Sequence, residues 1–168
     1  MKLDSLKDVL EEQLMDLYSA ETQLVEALPK MAKGVRSEEL RTALEHHLEE
    51  TRGHVKRVEE ALGELGASGG SEECKGMKGL IKEGEEILDM KGDPLAKDAA
   101  IIAAAQRVEH YEIAAYGTVR QLADDLDLAG IRDLMDQTLD EESNADTLLT
   151  KIATGGMFKA GLNEQAAN

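Results

Sequence analysis

The sequence has few of the residues that build β-sheets. It contains no tryptophan, one phenylalanine, three tyrosines and only two prolines among its 168 residues. Strands are enriched in aromatic and β-branched side chains, whereas leucine and alanine supply most of the apolar residues here. The shortage of aromatic residues therefore favours an all-α protein, and the length fits one domain with a core of its own.

Cysteine is nearly absent. Cys74 is the single cysteine, so the chain can form no internal disulfide and no cysteine-rich metal site. Rubredoxin-type centres, iron–sulfur clusters and CxxC redox chemistry are excluded within this chain for the same reason. The N-terminal stretch MKLDSLKDVLEEQL lacks the apolar core of a signal peptide, and no apolar run of membrane-spanning length follows. We therefore expect a cytoplasmic protein that has no membrane partner.

Basic residues are outnumbered by acidic ones. The chain has 35 acidic and 19 basic residues, which gives a formal net charge of −16. An acidic surface repels the phosphate backbone, so we expect no nucleic-acid partner. The same field attracts cations only weakly and does not choose among them, and its simplest interpretation is a well-solvated surface.

Apolar residues recur at helical spacing along most of the chain. The pattern predicts helices over residues 4–33, 37–65, 74–90, 94–126 and 131–154. Glycine-rich residues 66–71 separate the second helix from the third, and Gly92-Asp93-Pro94 begins the fourth. Four long helices with a short one after the second predict a four-helix bundle with a crossover helix. We expect residues 1–155 to form this bundle and residues 156–168 to form a flexible tail.

A weak internal repeat relates the two predicted helical hairpins. At an offset of 91 (112 − 21), Glu21 lies over Glu112 and Leu44 lies over Met135. A true repeat and a chance alignment of leucine-rich helices both fit this similarity.

Each of the four long helices has carboxylate on its predicted inner face. The candidates are Glu21 in the first helix, Glu50 with His54 in the second, Glu109 with Glu112 in the fourth, and Glu142 with Asp146 in the fifth. Taken singly, each fits a surface residue on a misjudged face. Buried together, they must be protonated or be neutralised by cations, because buried like charges destabilise a fold. Helical bundles can hold two metal ions in this way, and oxygen-rich ligands with imidazole suit iron or manganese.

Four stretches along the chain carry a resemblance to a known family. They are DLYSAETQL, HHLEETRGH, AAAQRVEHYEIAAYG and TLDEESNADTLL, and they resemble the bacterial YciF/YciE family of ferritin-like proteins over roughly residues 4–154. The resemblance implies a ferritin-like four-helix bundle with a short extra helix, a homodimer and a role in bacterial stress responses. Its wider relatives include rubrerythrin, manganese catalase and ferritin.

The resemblance implies a dimetal site, but the sequence departs from the common Glu-x-x-His pattern of such bundles. Glu50 and His54 are four residues apart, as are Glu142 and Asp146, while Glu109 and Glu112 match a Glu-x-x-Glu pair of rubrerythrin-like proteins. We predict two iron or manganese ions. Glu21, Glu50 and His54 would serve mainly one, and Glu109, Glu142 and Asp146 mainly the other. Glu50 and Glu142 would be the bridges, and Glu112 an additional or mobile ligand.

Two alternatives to this ligand set stay open at the sequence level. His47 is a candidate ligand, although a supporting or core role is favoured for it, and Glu141 can substitute for Glu142. Tyr18 and Tyr116 fit either hydrogen-bond partners of the ligands or ordinary core tyrosines. No residue is assigned a catalytic role.

Three functions fit the pattern. The first is a dimetal oxidoreductase that reacts with peroxide or O₂ or oxidises Fe²⁺, with an external electron donor where a reductant is needed. The second is a non-catalytic metal-binding protein. The third is a metal-free helical scaffold or stress-interaction protein. Metal content and redox turnover separate the three.

Overall fold

Helices make up nearly all of the fold. The structure is a computed structural model, which describes residues 2–70, 72–156 and 159–167. The long helices are α1 (Leu6–Gly34), α2 (Glu38–Leu65), α4 (Pro94–Asp125) and α5 (Ala129–Thr154), with the shorter α3 (Lys75–Asp89) between α2 and α4. The predicted all-α four-helix bundle with a crossover helix is confirmed. None of the described helices is both long and apolar enough to cross a membrane.

Polar side chains fix where the helices begin. The Ser5 hydroxyl accepts a hydrogen bond from the Asp8 backbone N–H, and the Asp8 carboxylate accepts one from the Ser5 N–H, which completes a capping box. The Ser37 hydroxyl caps α2, and the Asp93 carboxylate caps α4 by accepting hydrogen bonds from the backbone N–H groups of Leu95 and Ala96. Local sequence signals therefore mark the starts of α1, α2 and α4, whereas α5 begins after Leu128 with no side-chain cap.

The four long helices pack as two hairpins. α1 lies against α2 and α4 lies against α5, while α2 also contacts α5 and α1 contacts α4. The crossover helix α3 packs on α1 and α4, so it covers one side of the bundle.

Two apolar clusters fill opposite ends of the bundle. One contains Leu24, Leu44, Ile102 and Leu149 among its buried residues. The other contains Leu14, Leu62, Val119 and Met135 among its members. Along each long helix one set gives way to the other, and six buried ionisable side chains lie near that change: Glu21, His47, His54, Glu109, Glu112 and Glu142. We call this middle layer the polar belt.

A buried carboxylate outside the belt shows how such a group is normally satisfied. Asp98 on α4 is 1% exposed. Its oxygens accept hydrogen bonds from the backbone N–H of Arg36 at 2.9 and 3.0 Å and of Ser37 at 2.6 Å. Asp98 therefore ties the α1–α2 connection to α4. No pattern in the sequence indicates this contact.

The described part of the tail packs against the bundle. After α5 come two-residue strands β1 (Gly155–Gly156) and β2 (Lys159–Ala160), which pair antiparallel, and the short helix α6 (Leu162–Ala166). The Leu162 side chain is 4% exposed and joins the apolar cluster of Leu24 and Leu149. The flexibility predicted for residues 156–168 stays a prediction, and the burial of Leu162 argues against it for this part.

Candidate metal centre

Six buried ionisable side chains meet in the polar belt. Each is at most 5% exposed, and together they come from all four long helices. We call them the central cluster: Glu21 of α1, His47 and His54 of α2, Glu109 and Glu112 of α4, and Glu142 of α5. Their convergence follows from helix periodicity, because each lies on the stripe that its helix turns toward the bundle axis.

The cluster contains two overlapping groups with the spacing of metal ligands. In the part of the chain that the structure describes, His47, Glu109, Glu112 and Glu142 each offer one donor atom, and these atoms lie within 4.8 Å of one another. Glu21, His54 and Glu142 form a second group by the same measure. Glu142 belongs to both groups, so its carboxylate lies where a bridging ligand would have to lie.

His54 is oriented from outside the cluster. Its Nε2 lies 3.0 Å from Oε2 of Glu141, and the Arg57 guanidinium donates to the same Glu141 oxygen. The Nδ1 atom of His54 faces inward, 2.9 Å from Oε1 of Glu142 and 3.4 Å from Oε1 of Glu21. When Nε2 donates its proton to Glu141, the lone pair of Nδ1 is left free for a metal ion.

His47 stands between the cluster and its rim. Its Nε2 lies 3.6 Å from Oε1 of Glu109 and 3.8 Å from Oε2 of Glu142. Its Nδ1 lies 3.6 Å from Oε2 of Glu50. On the other side of the cluster, the buried Tyr116 hydroxyl donates to Oε1 of Glu21. Tyr116 is thus a hydrogen-bond partner of a cluster residue.

Most donor atoms of the cluster lack a protein partner. Among the described residues, nine buried side-chain nitrogen and oxygen atoms have no hydrogen bond, and all nine belong to the six cluster residues. They include both oxygens of Glu112 and both nitrogens of His47. Nδ1 of His54 and Oε1 of Glu142 are also among them, although these two atoms lie 2.9 Å apart and pair when His54 is protonated. Buried polar groups left unpaired are costly and rare, and Asp98 shows that this fold can satisfy one. The donor set therefore fits bound cations, which would use these atoms as ligands.

Burial has the largest effect on the pKa values of Glu109 and Glu112 in the metal-free cluster. Burial raises the pKa of Glu112 well above its usual range, and the carboxylates of Glu142, Glu21 and Glu109 raise it further. Burial also raises the pKa of Glu109, although His47 opposes this. The metal-free cluster therefore holds protons on groups that are ordinarily ionised.

The pKa values of His47, His54 and Glu142 shift in the direction opposite to the one that burial alone would cause. Burial would lower the pKa of both histidines, but the nearby carboxylates raise it to about 9 for His47 and about 10 for His54. Burial would raise the pKa of Glu142, but the two imidazoles together lower it. The metal-free cluster thus keeps its imidazoles positively charged beside the Glu142 carboxylate.

Five of the seven side chains proposed as ligands from the sequence lie together in the central cluster. They are Glu21, His54, Glu109, Glu112 and Glu142. Two others lie outside it. Glu50 is at the rim, where its side chain is 26% exposed, 3.3 Å from Nδ1 of His46. Asp146 is on the α4 side of α5, where Gln106 donates to its Oδ1 at 3.0 Å. As ligands, all seven stay predictions.

His47 is a member of the central cluster for which the sequence favoured a supporting or core role over ligation, and both roles stay open. It is seven residues before His54, so the two share one helical stripe, and Thr51 between them is also buried. At the offset of 91, His47 lies over Thr138, Thr51 over Glu142 and His54 over Ala145. The first two pairs are buried. The repeat therefore marks the inner stripe correctly and would have selected His47.

The helical bundle and its central carboxylates place the protein in the ferritin-like structural class. A ferritin-like diiron-carboxylate protein of Bacillus anthracis matches with a TM-score of 0.68 at 14% identity, over 89% of this chain and 98% of that one. At that identity the likeness shows the fold alone.

Closer relatives identify the family. A family model described as a domain of unknown function, DUF892, matches residues 5–166. Protein YciF of Escherichia coli K12 is 39% identical over 98% of this chain and 99% of its own length. The crystal structure of that stress protein matches with a TM-score of 0.86 at 41% identity, over 89% and 94% of the two chains. YcfI of Rhodopseudomonas palustris matches with a TM-score of 0.86 at 38% identity, over 91% and 99%. The chain belongs to the DUF892 family.

Proposed function

We propose that the chain is a dimetal carboxylate protein that binds two iron or manganese ions. Glu21, His54 and Glu142 would hold one ion, and His47, Glu109 and Glu112 would hold the other together with Glu142. The observation that carries this proposal is the concentration of unpaired buried donor atoms in these six residues. A donor set of carboxylate oxygens with one imidazole for each ion suits iron and manganese.

Charge balance supports a pair of divalent ions. The cluster contains four carboxylates and two imidazoles. Two divalent cations match four ionised carboxylates and leave both imidazoles neutral, which is the state in which imidazole binds a metal. Without cations, the same neutrality requires protons on the histidines and on glutamates, and the pKa shifts of His47, His54, Glu109 and Glu112 correspond to that state.

We propose further that the centre reacts with peroxide or O₂, or oxidises Fe²⁺. A pair of redox-active metal ions supplies two electrons or takes them up at one place. The protein residues would position that chemistry: Glu142 would contribute to both ion positions, Glu141 would orient His54, and the apolar clusters at either end would keep bulk water away. Since Cys74 is the single cysteine, electrons for a peroxidase reaction would come from an external donor.

Metal content of tag-free protein tests the proposal. We expect about two Fe or Mn per chain by elemental analysis, and a sharp loss in Glu109→Ala/Glu112→Ala. The matched control is Glu45→Ala/Glu49→Ala, which removes two exposed carboxylates from α2 and should keep the metal. Wild-type protein that is metal-free and also refuses Fe²⁺ and Mn²⁺ on titration would rule out the dimetal function.

Turnover separates the redox function from simple metal binding. Metal-loaded protein should decompose peroxide, or consume it with a reductant, or oxidise added Fe²⁺, and the Glu109→Ala/Glu112→Ala variant should not. Metal-loaded wild-type protein that is inert in all three assays would leave a non-catalytic metal-binding protein. The homodimer and the cytoplasmic location also stay predictions, and light scattering at micromolar concentration tests the first.

A further inference from the structure

A small cavity connects the rim of the bundle with the central cluster. It lies between α2 and α5 and has a volume of about 90 Å³. Its polar lining comes from His46, His47, Glu50, Glu109 and Asn144, and its apolar lining comes from Ala43, Leu44, Ala145, Leu148 and Leu149. A water molecule occupies about 30 Å³ of liquid, so the cavity has room for a cation that keeps part of its hydration shell.

The ionisable residues of this cavity form a path of increasing burial. The side chains are 69% exposed at His46, 26% at Glu50, 7% at His47 and 4% at Glu109. One oxygen of Glu50 lies 3.3 Å from Nδ1 of His46 and 3.6 Å from Nδ1 of His47. The opposite nitrogen of His47 lies 3.6 Å from Glu109. Potential ligands for a cation therefore follow one another from solvent to the cluster.

His47 supplies independent evidence for a ligand in this cavity. Both of its ring nitrogens are buried without a hydrogen bond, and the residue is 5% exposed. Nδ1 faces Glu50 at the rim, while Nε2 faces Glu109 and Glu142 inside. A neutral imidazole has its lone pair on one nitrogen and its proton on the other, so a change of tautomer would let His47 meet a cation first at Nδ1 and then at Nε2.

Two other approaches to the cluster, among the residues that the structure describes, are less suited to cations. A cavity of about 40 Å³ beneath α3 also reaches His47 and Glu109, but the rest of its lining is apolar, including Leu24, Met31 and Ile81. Such a wall offers no ligand in exchange for water. Behind His54, the Arg57 guanidinium binds Glu141 and places a positive charge in the way.

We propose that the cavity between α2 and α5 is the entry route for divalent cations, and that Glu50 with His46 forms a transit site at its mouth. The inference rests on the proposed dimetal function and adds a role for two residues outside the central cluster. Glu50 would bind each incoming ion briefly together with His46. The ion would then move past His47 to Glu109 and Glu142.

The rate of metal uptake tests the route. Metal-free protein is mixed with Co²⁺, a spectroscopic substitute for Fe²⁺, and the visible absorption of the bound ion is followed by stopped flow. We expect uptake to be about tenfold slower or more in Glu50→Gln and in His46→Gln, because the charge that attracts cations or a ligand that holds them is lost. The final metal count should equal that of the wild type. Glu49→Gln, an exposed carboxylate on the same helix, is the control and should load at the wild-type rate.

Two cavity-filling variants provide an independent test. Ala145→Leu narrows the proposed route and should slow uptake, whereas Ala105→Leu narrows the apolar cavity beneath α3 and should not. Circular dichroism establishes that each variant is folded.

Each outcome decides one claim. Wild-type protein that takes up no metal would remove the proposed function and this inference together. A wild type that loads, with Glu50→Gln and Ala145→Leu loading equally fast, would remove only the entry route. A reduced final count in Glu50→Gln would make Glu50 a permanent ligand and would overturn its role as a transit residue.

Discussion

Glu142 and His54 are in direct contact at the centre of the bundle. Oε1 of Glu142 lies 2.9 Å from Nδ1 of His54, while its Oε2 lies 3.8 Å from Nε2 of His47 on the other side. One carboxylate of α5 thus reaches both imidazoles of α2. The two candidate ion positions therefore share Glu142 of α5, and a substitution of this residue should affect both.

Substitution of Glu142 should affect both ions, and substitution of Glu21 only one. We expect Glu142→Gln to retain little metal, because each position loses a charged ligand. Glu21→Gln should keep about one ion per chain, since Glu21 belongs only to the group with His54. Elemental analysis after gel filtration gives both counts. Equal metal loss in the two variants would contradict the shared position of Glu142.

Stability of the metal-free protein should fall as the pH rises. The pKa values of His47 and His54 are raised to about 9 and about 10, above the unfolded value of 6.5. Their contribution is therefore complete below pH 6.5 and is lost as the pH passes through 9 to 10. The raised pKa values of Glu109 and Glu112 act in the same direction above their unfolded value of 4.5.

Thermal unfolding in chelator measures this dependence. We expect a lower Tm near about pH 10 than near about pH 6 for metal-free protein. The stabilisation gained on adding metal should grow over the same range, because protons leave the ligands that the metal needs. A metal-free Tm that rises with pH would show that the cluster is not protonated as described.

The contact of Glu141 with His54 should strengthen metal binding without supplying a ligand. Glu141→Ala removes the acceptor at Nε2 of His54 and leaves the Arg57 guanidinium with its hydrogen bond to the Thr138 hydroxyl. We expect about 10- to 100-fold weaker metal binding with the full count still reached at saturation. Competition with a chelator of known affinity measures the change. Asp140→Ala, an exposed neighbour, should bind as the wild type does, and a lost ion in Glu141→Ala would indicate direct ligation.

Asp98 should matter for stability and not for metal. Asp98→Ala leaves the backbone N–H groups of Arg36 and Ser37 without their acceptor, which should cost about 1 to 3 kcal/mol of unfolding free energy because these groups are only partly buried. Urea unfolding of the metal-free protein measures the loss. The metal count should be unchanged, and a variant as stable as the wild type would show that water replaces the carboxylate.

The fold could be predicted because periodicity, caps and turn residues agree along the chain. Ser5, Ser37 and Asp93 cap their helices as local sequence patterns indicate. The packing of the tail could not be predicted from local sequence patterns, because the burial of Leu162 depends on contacts with residues that are distant in sequence.

The sequence identifies the helix and the turn that carry each candidate ligand, but it does not always identify which residue of that turn faces the bundle axis. On α2 the buried stripe passes through His47, Thr51 and His54, so Glu50 is turned about 100° from Thr51. On α5 the stripe passes through Thr138, Glu142 and Leu149, which leaves Asp146 beside it. Glu142 and Asp146 are four residues apart, so the sequence fits both to the same face of α5. Only the packing of α4 against α5 distinguishes them.

The polar belt also determines which part of the bundle is weakest. Helical bundles ordinarily fray at their ends, but here both ends contain apolar clusters and the middle holds unpaired ionisable groups. In metal-free protein, backbone amides near the middle of the helices should therefore exchange with deuterium unusually fast for residues so deeply buried. Bound cations would reverse this order and make the polar belt the slowest-exchanging layer. The two apolar clusters should then unfold as a single cooperative unit, which we expect only when cations are bound.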